Sequence, residues 1–183
     1  LQDVSRAVDY LRDISDTYLL DLTQVVAVGH SAGGHLALWV GGRHRLTQAS
    51  SLRTNADSFL PLKGVVSLAG VSDLKRMYEV RQENSPVVNF LGGTPTEFPE
   101  RYQESSPLEL LPLGISQVLI HGTEDVNVPI EISRNYYQAA KSLRDQIELI
   151  ELPGIEHFKV IDPKSEIWRL ISDAIDELIV NHK

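Results

Sequence analysis

Val25-Val26-Ala27-Val28-Gly29-His30-Ser31-Ala32-Gly33-Gly34 is the stretch that decides how this chain folds. Val25 to Val28 is a short, continuous apolar run rich in β-branched residues, as expected of a strand buried on both faces of a parallel sheet. From Ala32 to about residue 44 the chain contains Ala, Leu and Trp and reads as a helix packed on that sheet. Ser31 therefore falls at a sharp strand-to-helix corner. Side chains on either side of such a corner would collide with the strand and the helix, and Gly29 and Gly33 lack the Cβ atoms that would do so. The Ser31 hydroxyl is left exposed beside a helix N-terminus, whose free N–H groups favour negative charge. The Ala32 N–H is then available to a developing oxyanion. Glycine-rich strand-to-helix turns also bind nucleotides, but neither G-x-G-x-x-G nor a P-loop lysine is present.

A serine hydroxyl needs a base, and the base needs an orienting carboxylate. Working outward from Ser31, Val65-Val66-Ser67-Leu68-Ala69 reads as a second buried strand and Val118-Leu119-Ile120-His121 as a third. A fourth is Ile147 to Leu152, whose alternation suggests one more exposed face. The third strand runs into His121-Gly122-Thr123-Glu124-Asp125, where Glu124 and Asp125 both qualify by type as the carboxylate. After the fourth comes Pro153-Gly154-Ile155-Glu156-His157, a loop that ends in the candidate base. Three strand ends thus bring Ser, an acid and His to one edge of a sheet, in the chain order Ser–acid–His. Among the other histidines, His30 is the variable residue of the turn and a candidate substrate contact. His35 reads as packed, His121 as bonded to loop backbone, and His44 and His182 as surface residues. Trp39 and Trp168 read as core.

Strands that alternate with helices imply βαβ units and a mostly parallel sheet. Val4, Ala7, Val8, Leu11 and Ile14 mark an amphipathic helix over 2–17, and further helices are expected at 130–144 and 163–181. The stretch from about 72 to 115 breaks this rhythm and holds five of the nine prolines. It reads as a lid-like excursion over one edge of the sheet, with Met77, Tyr78, Phe90 and Leu91 as apolar substrate contacts.

The chain has 183 residues, enough for one domain with a sizeable core. Its net charge of −8 argues against nucleic acid and anionic membranes as partners. The absence of cysteine removes disulfides, thiolate metal sites and cysteine nucleophiles. No apolar run approaches the ~20 residues of a membrane span. No metal-ligand spacing is present, and no cofactor is expected. With no signal peptide visible, the expected location is cytoplasmic.

These residues resemble the α/β-hydrolase superfamily, in particular the esterase/lipase and kynurenine-formamidase-like branch that shades into the prolyl-oligopeptidase group. The resemblance runs through Gly29 to Gly34, Gly64 to Leu74, Ser105-Ser106-Pro107-Leu108, His121 to Asp125 with Val128-Pro129, and Gly154 to His157. It implies an α/β-hydrolase fold, with Ser31 as nucleophile, His157 as base and Asp125, not Glu124, as the carboxylate. It implies hydrolysis of small, water-soluble carboxylic esters through an acyl-enzyme. The alternatives are an amide hydrolase, as in kynurenine formamidase or the prolyl-oligopeptidase group, and a non-catalytic fragment or binding protein. The family places four strands ahead of this turn and takes a second oxyanion N–H from a glycine-rich loop there; neither has a match here, since Gly92-Gly93 falls elsewhere. The expectation is thus a single, N-terminally truncated domain over 1–183. Its first strand would be an exposed edge through which copies associate.

Overall fold

The backbone follows a parallel sheet whose strand order in space is the order in sequence. In the computed structural model, which describes residues 1–53, 59–82 and 85–180, the strands are β1 (Val26–His30), β2 (Gly64–Leu68), β3 (Ser116–Gly122) and β4 (Ile147–Leu152). All three pairings are parallel, with Val26 opposite Gly64, Gly64 opposite Ser116 and Gln117 opposite Ile147. His182 and Asn181 lie outside the described residues.

The middle strands behave as a doubly covered sheet requires. On one face Val65 and Leu119 join Leu38, Trp39 and Val40 of α3 (Ala32–Gly42) and Tyr136 of α7 (Ile130–Ser142). Leu1, Val4 and Val8, at the start of the chain and on α1 (Gln2–Asp9), pack onto the same cluster. On the other face Val66, Leu68, Val118 and Ile120 meet Ile171, Ala174 and Leu178 of α8 (Ile167–Val180). Val65, Val66, Leu119 and Ile120 are all 0–1% exposed, and each stabilises the fold by about 1.5–3 kcal/mol. In β4, Glu148 and Glu151 are exposed while their neighbours are half-buried. Three residues apart, the two lie on opposite faces, and Ile147 and Leu149 pack on one cluster and Ile150 and Leu152 on the other, so the single open face expected from alternation does not form.

Several sequence expectations are corrected. β1 is not buried on both faces: Val28 is 43% exposed. It has a strand neighbour on one side only, and the α8 cluster covers Val26 but leaves Val28 open. The single helix expected over 2–17 is two, α1 and α2 (Leu11–Tyr18). At Tyr10 the bonding tightens, with the Asp13 N–H donating to the Tyr10 carbonyl 3.0 Å away. Ala7, placed on the apolar face, is exposed. Trp168 is 45% exposed near the start of α8, whereas Trp39 is fully buried.

Residues 72–115 form α4 (Leu74–Arg81), α5 (Pro86–Leu91), α6 (Pro99–Ser105) and a 3₁₀ turn at Pro107–Leu110. Proline opens α5, α6 and the 3₁₀ turn, where its missing N–H costs nothing. Leu74, Met77, Val87, Leu91 and Tyr102 pack against Val128 and Ile132, which follow β3. The segment therefore sits over the carboxyl end of a middle strand, not over a sheet edge.

Candidate active site

β1 ends at the corner the sequence marks. Ser31 has φ 56° and ψ −117°, a left-handed conformation costly for a residue with a Cβ, and α3 starts at the next residue. The Ser31 N–H donates to the Leu68 carbonyl at 2.8 Å, pinning the corner to the end of β2. A Cβ on Gly29 would lie 2.1 Å from the Gly33 carbonyl oxygen, so this glycine is obligatory. Gly33 itself is not: a Cβ there would meet nothing within 4 Å. The second crowded position is Gly34, where a Cβ would come within 2.8 Å of Gly70 Cα and Ser67 Oγ. Ala32, first residue of α3, is exposed.

The loops after β3 and β4 are tied to each other. Thr123 N–H donates to the Leu152 carbonyl at 3.0 Å, Glu124 N–H to the Ile155 carbonyl at 3.0 Å, and Gly154 N–H to Thr123 Oγ1 at 3.0 Å. They deliver Asp125 and His157 to one point. His157 Nδ1 donates to Asp125 Oδ2 at 2.6 Å, with both residues buried. Asp125 Oδ1 accepts from the N–H groups of Asn127 and Val128, both at 2.8 Å. Burial alone would push the Asp125 carboxyl up. The Val128 N–H, His157 and the Asn127 N–H outweigh it and hold the carboxyl below its ordinary range. Glu124 is exposed, so of the two acids only Asp125 reaches His157. No metal-binding group of three His, Cys, Asp or Glu exists among the described residues.

His30, next to Ser31, lies against His157: the ring centroids are 4.4 Å apart, and His30 Nε2 is 3.0 Å from the His157 carbonyl oxygen. Burial lowers its pKa, so its Nε2–H donates from a neutral ring. Ser31 Oγ makes no hydrogen bond to His157 among the described residues.

Ser31 and Ala32 open into a cavity of about 460 Å³. Its walls are His35 and Leu36 of α3, Val71, Leu74 and Met77 at and around α4, and Pro86, Val87 and Phe90 of α5. Of the proposed substrate contacts, Met77 and Phe90 line this space. Tyr78 packs beside the cluster under α4, and Leu91 is buried within it, so neither borders the cavity; His30 faces His157 instead. His35, read as merely packed, is a cavity wall. Its Nε2 lies 2.8 Å from the Ser105 carbonyl, its ring meets Phe90 edge-on at 5.8 Å, and burial lowers its pKa to about 4.

The BD-FAE family model matches residues 1–140. The chain belongs to the BD-FAE family. BD-FAE membership agrees with similarity to Esterase LipC of Mycobacterium tuberculosis, 28% identical over 172 residues, covering 87% of this chain and 41% of that protein. An uncharacterized peptidase of Bacillus subtilis, YtmA, is 36% identical over 95 residues, covering 51% of this chain and 37% of its own length. This BD-FAE chain thus spans less than half the length of either relative. A solved structure of a truncated carbohydrate esterase from gut microbiota superposes with a TM-score of 0.84 at 23% identity, covering 98% of this chain and 68% of that one. The fold is that of the α/β-hydrolases.

Proposed function

We propose that this BD-FAE protein hydrolyses carboxylic esters by nucleophilic catalysis, with Ser31, His157 and Asp125 as a triad. The observation that carries this reading is the 2.6 Å bond from His157 Nδ1 to Asp125 Oδ2, with the His157 ring 4.4 Å from that of His30, the residue before a serine held at φ 56° on a strand-to-helix corner. His157 Nδ1–H is tied to the carboxylate, so Nε2 is the basic nitrogen. Ser31 Oγ attacks the ester carbonyl carbon and its proton passes to His157 Nε2. The carbonyl becomes an oxyanion, and the Ala32 N–H at the start of α3 donates to it. Collapse expels the alcohol, which takes the proton from His157 and leaves an acyl-serine. Water, deprotonated by the same nitrogen, attacks the acyl carbon and releases the acid and Ser31. Asp125 holds the imidazole in this tautomer throughout and stabilises the imidazolium. The serine–histidine bond missing from the free protein forms when substrate fixes the serine rotamer, as catalytic bonds in empty sites commonly do.

The apolar cavity holds an uncharged acyl or alcohol group of a small ester, and residues 72–115 act as its lid. The esterase name of LipC supports the ester reading. The peptidase name of YtmA favours a second one, an amide bond cut by the same triad. We also propose that copies associate through the free edge of β1.

A fluorophosphonate probe is expected to label Ser31 alone. Ser31→Ala should remove ester turnover, and Asp125→Asn should lower it by about 10⁴ with the fold intact. Glu124→Gln should leave it nearly unchanged. Undiminished turnover in Ser31→Ala would end the serine reading, and faster cleavage of matched anilides than esters would favour the amide one.

A further inference from the structure

Asp125 Oδ2 has two histidine neighbours, and the reaction above uses only one of them. His121 Nε2 lies 3.2 Å from the same oxygen that receives His157 Nδ1. It is also 2.9 Å from the Val128 carbonyl, and its other nitrogen, Nδ1, is 2.7 Å from Ser133 Oγ on α7. His121 is 0% exposed, next to last in β3 and just before the acid loop. A carbonyl and an ionised carboxylate only accept hydrogen bonds, so Nε2 must carry a proton. Burial lowers the His121 pKa against the pull of the Val128 carbonyl and Asp125, which keeps the ring neutral. Nδ1 is then a bare acceptor, and the Ser133 hydroxyl donates to it. Glu151, opposite His121 on β4, is turned to Arg134 through bonds of 2.8 and 2.6 Å and does not compete.

The carboxylate therefore accepts three hydrogen bonds, from Asn127 and Val128 N–H on Oδ1 and from His157 on Oδ2. The His121 Nε2–H, whose closer partner is the Val128 carbonyl, lies 3.2 Å from the same Oδ2. Rotation about the Cβ–Cγ bond moves both oxygens together, so the N–H bonds on Oδ1 already oppose it. The His121 N–H near Oδ2 adds to that resistance and takes up part of the negative charge. We propose that His121, locked in its Nε2–H tautomer by Ser133, is a positioning residue that aims Asp125 Oδ2 at His157 and moderates the carboxylate's basicity. Its catalytic consequence rests on the triad reading; its proton placement does not.

The sign of the effect follows from the charge. With the His121 donor gone, more negative charge stays on Oδ2. Protonated His157 is stabilised, and a higher pH is needed to free the base. A histidine that merely braced β3 against α7 would lower stability without this change.

The test compares His121→Leu, which removes the donor, with His121→Gln, whose side-chain N–H reaches the position of Nε2. In His121→Leu, kcat/KM is expected to fall about tenfold, far less than for Asp125→Asn, with its acid limb displaced upward by about 0.5–1 pH unit. His121→Gln should restore both. Independently of activity, ¹⁵N NMR of the wild-type histidines should show His121 protonated at Nε2 and bare at Nδ1. The His157 Nδ1–H proton should move downfield in His121→Leu. If His121→Leu does not fold, His121→Asn replaces it, since its shorter amide stops short of Oδ2. An Nδ1-protonated His121, or a variant that loses thermal stability with acid limb and proton shift unmoved, overturns the inference. Full turnover in Ser31→Ala would instead sink the serine reading and leave the NMR result on His121 standing.

Discussion

Gly29 and Gly33 look equivalent in the sequence, two places before and two places after Ser31, yet the fold treats them oppositely. Gly29 has the Gly33 carbonyl 2.1 Å from where its Cβ would lie, a backbone atom that cannot swing away. Gly29→Ala must therefore open the corner and displace Ser31. Gly33 lies inside α3 with free space around it, where alanine is the better helix former by about 1 kcal/mol. Gly33→Ala is expected to keep or slightly raise the melting temperature and retain fluorophosphonate labelling, while Gly29→Ala loses the labelling. Thermal melts and probe gels on the two variants decide it, and equal damage from both would refute the steric account. The difference was not legible from residue spacing, because it depends on which way each absent Cβ points. The same holds for His121. Its place at a strand end suggested a bond to loop backbone, which it makes to Val128, but its approach to Asp125 needed the turn that folds residue 125 back over residue 121. Asp125 itself was separable from Glu124 by family resemblance, and the physical reason is that the two N–H bonds to Oδ1 turn Asp125 inward while Glu124 faces water.

Elements built on dense local patterns were readable. β2 and β3 carry dense apolar centres at Val65-Val66 and Val118-Leu119-Ile120, and β4 is apolar but for Glu148 and Glu151; all three lie within two residues of where the pattern places them. The segment over 72–115 was recognisable as irregular, but which of its apolar residues face the site was not. Its helices are only six to eight residues long, so each has too few turns for periodicity to fix its orientation. Met77 and Phe90 turn to the cavity, and Tyr78 and Leu91 join the cluster beneath. This sorting yields an expectation at the scale of α4 and α5. Phe90 is 49% exposed at the cavity wall, so Phe90→Ala enlarges the space at little cost in stability and should shift preference toward longer acyl or alcohol groups. Leu91→Ala, a buried truncation, should cost about 2–5 kcal/mol with the chain-length profile unchanged. Initial rates across a series of p-nitrophenyl esters, paired with denaturation curves, separate the two. A profile that moves with Leu91 and not with Phe90 would show that the cavity beside Ser31 is not where the variable group of the substrate rests.

At the scale of the whole molecule, among the described residues the strand that leads into Ser31 is an edge of the sheet. The Val25 carbonyl accepts from Lys63 N–H and the Ser31 N–H donates to Leu68, so by alternation Val25, Ala27, Gly29 and Ser31 address β2. The backbone groups of Val26 and Val28 point the other way, and among the described residues no strand pairs with them. Tyr18, Leu19 and Leu20, on the approach to this strand, are 67%, 89% and 38% exposed and add apolar surface. A second copy offers the same groups, and each backbone bond it supplies contributes about 0.5–1.5 kcal/mol. Against this stands a net charge of −8 on every copy, which repels at low salt and is screened within about 10 Å at 0.1 M. Few bonds working against that repulsion give association that is weak, concentration-dependent and strengthened by salt. Val28→Lys places a like charge on the edge and should shift the chain to monomer, whereas a lysine at exposed Glu148 on β4, the opposite edge, should not. Light scattering or sedimentation across a salt series measures this. Association that weakens as salt rises, or that survives Val28→Lys, would place the contact elsewhere on the surface.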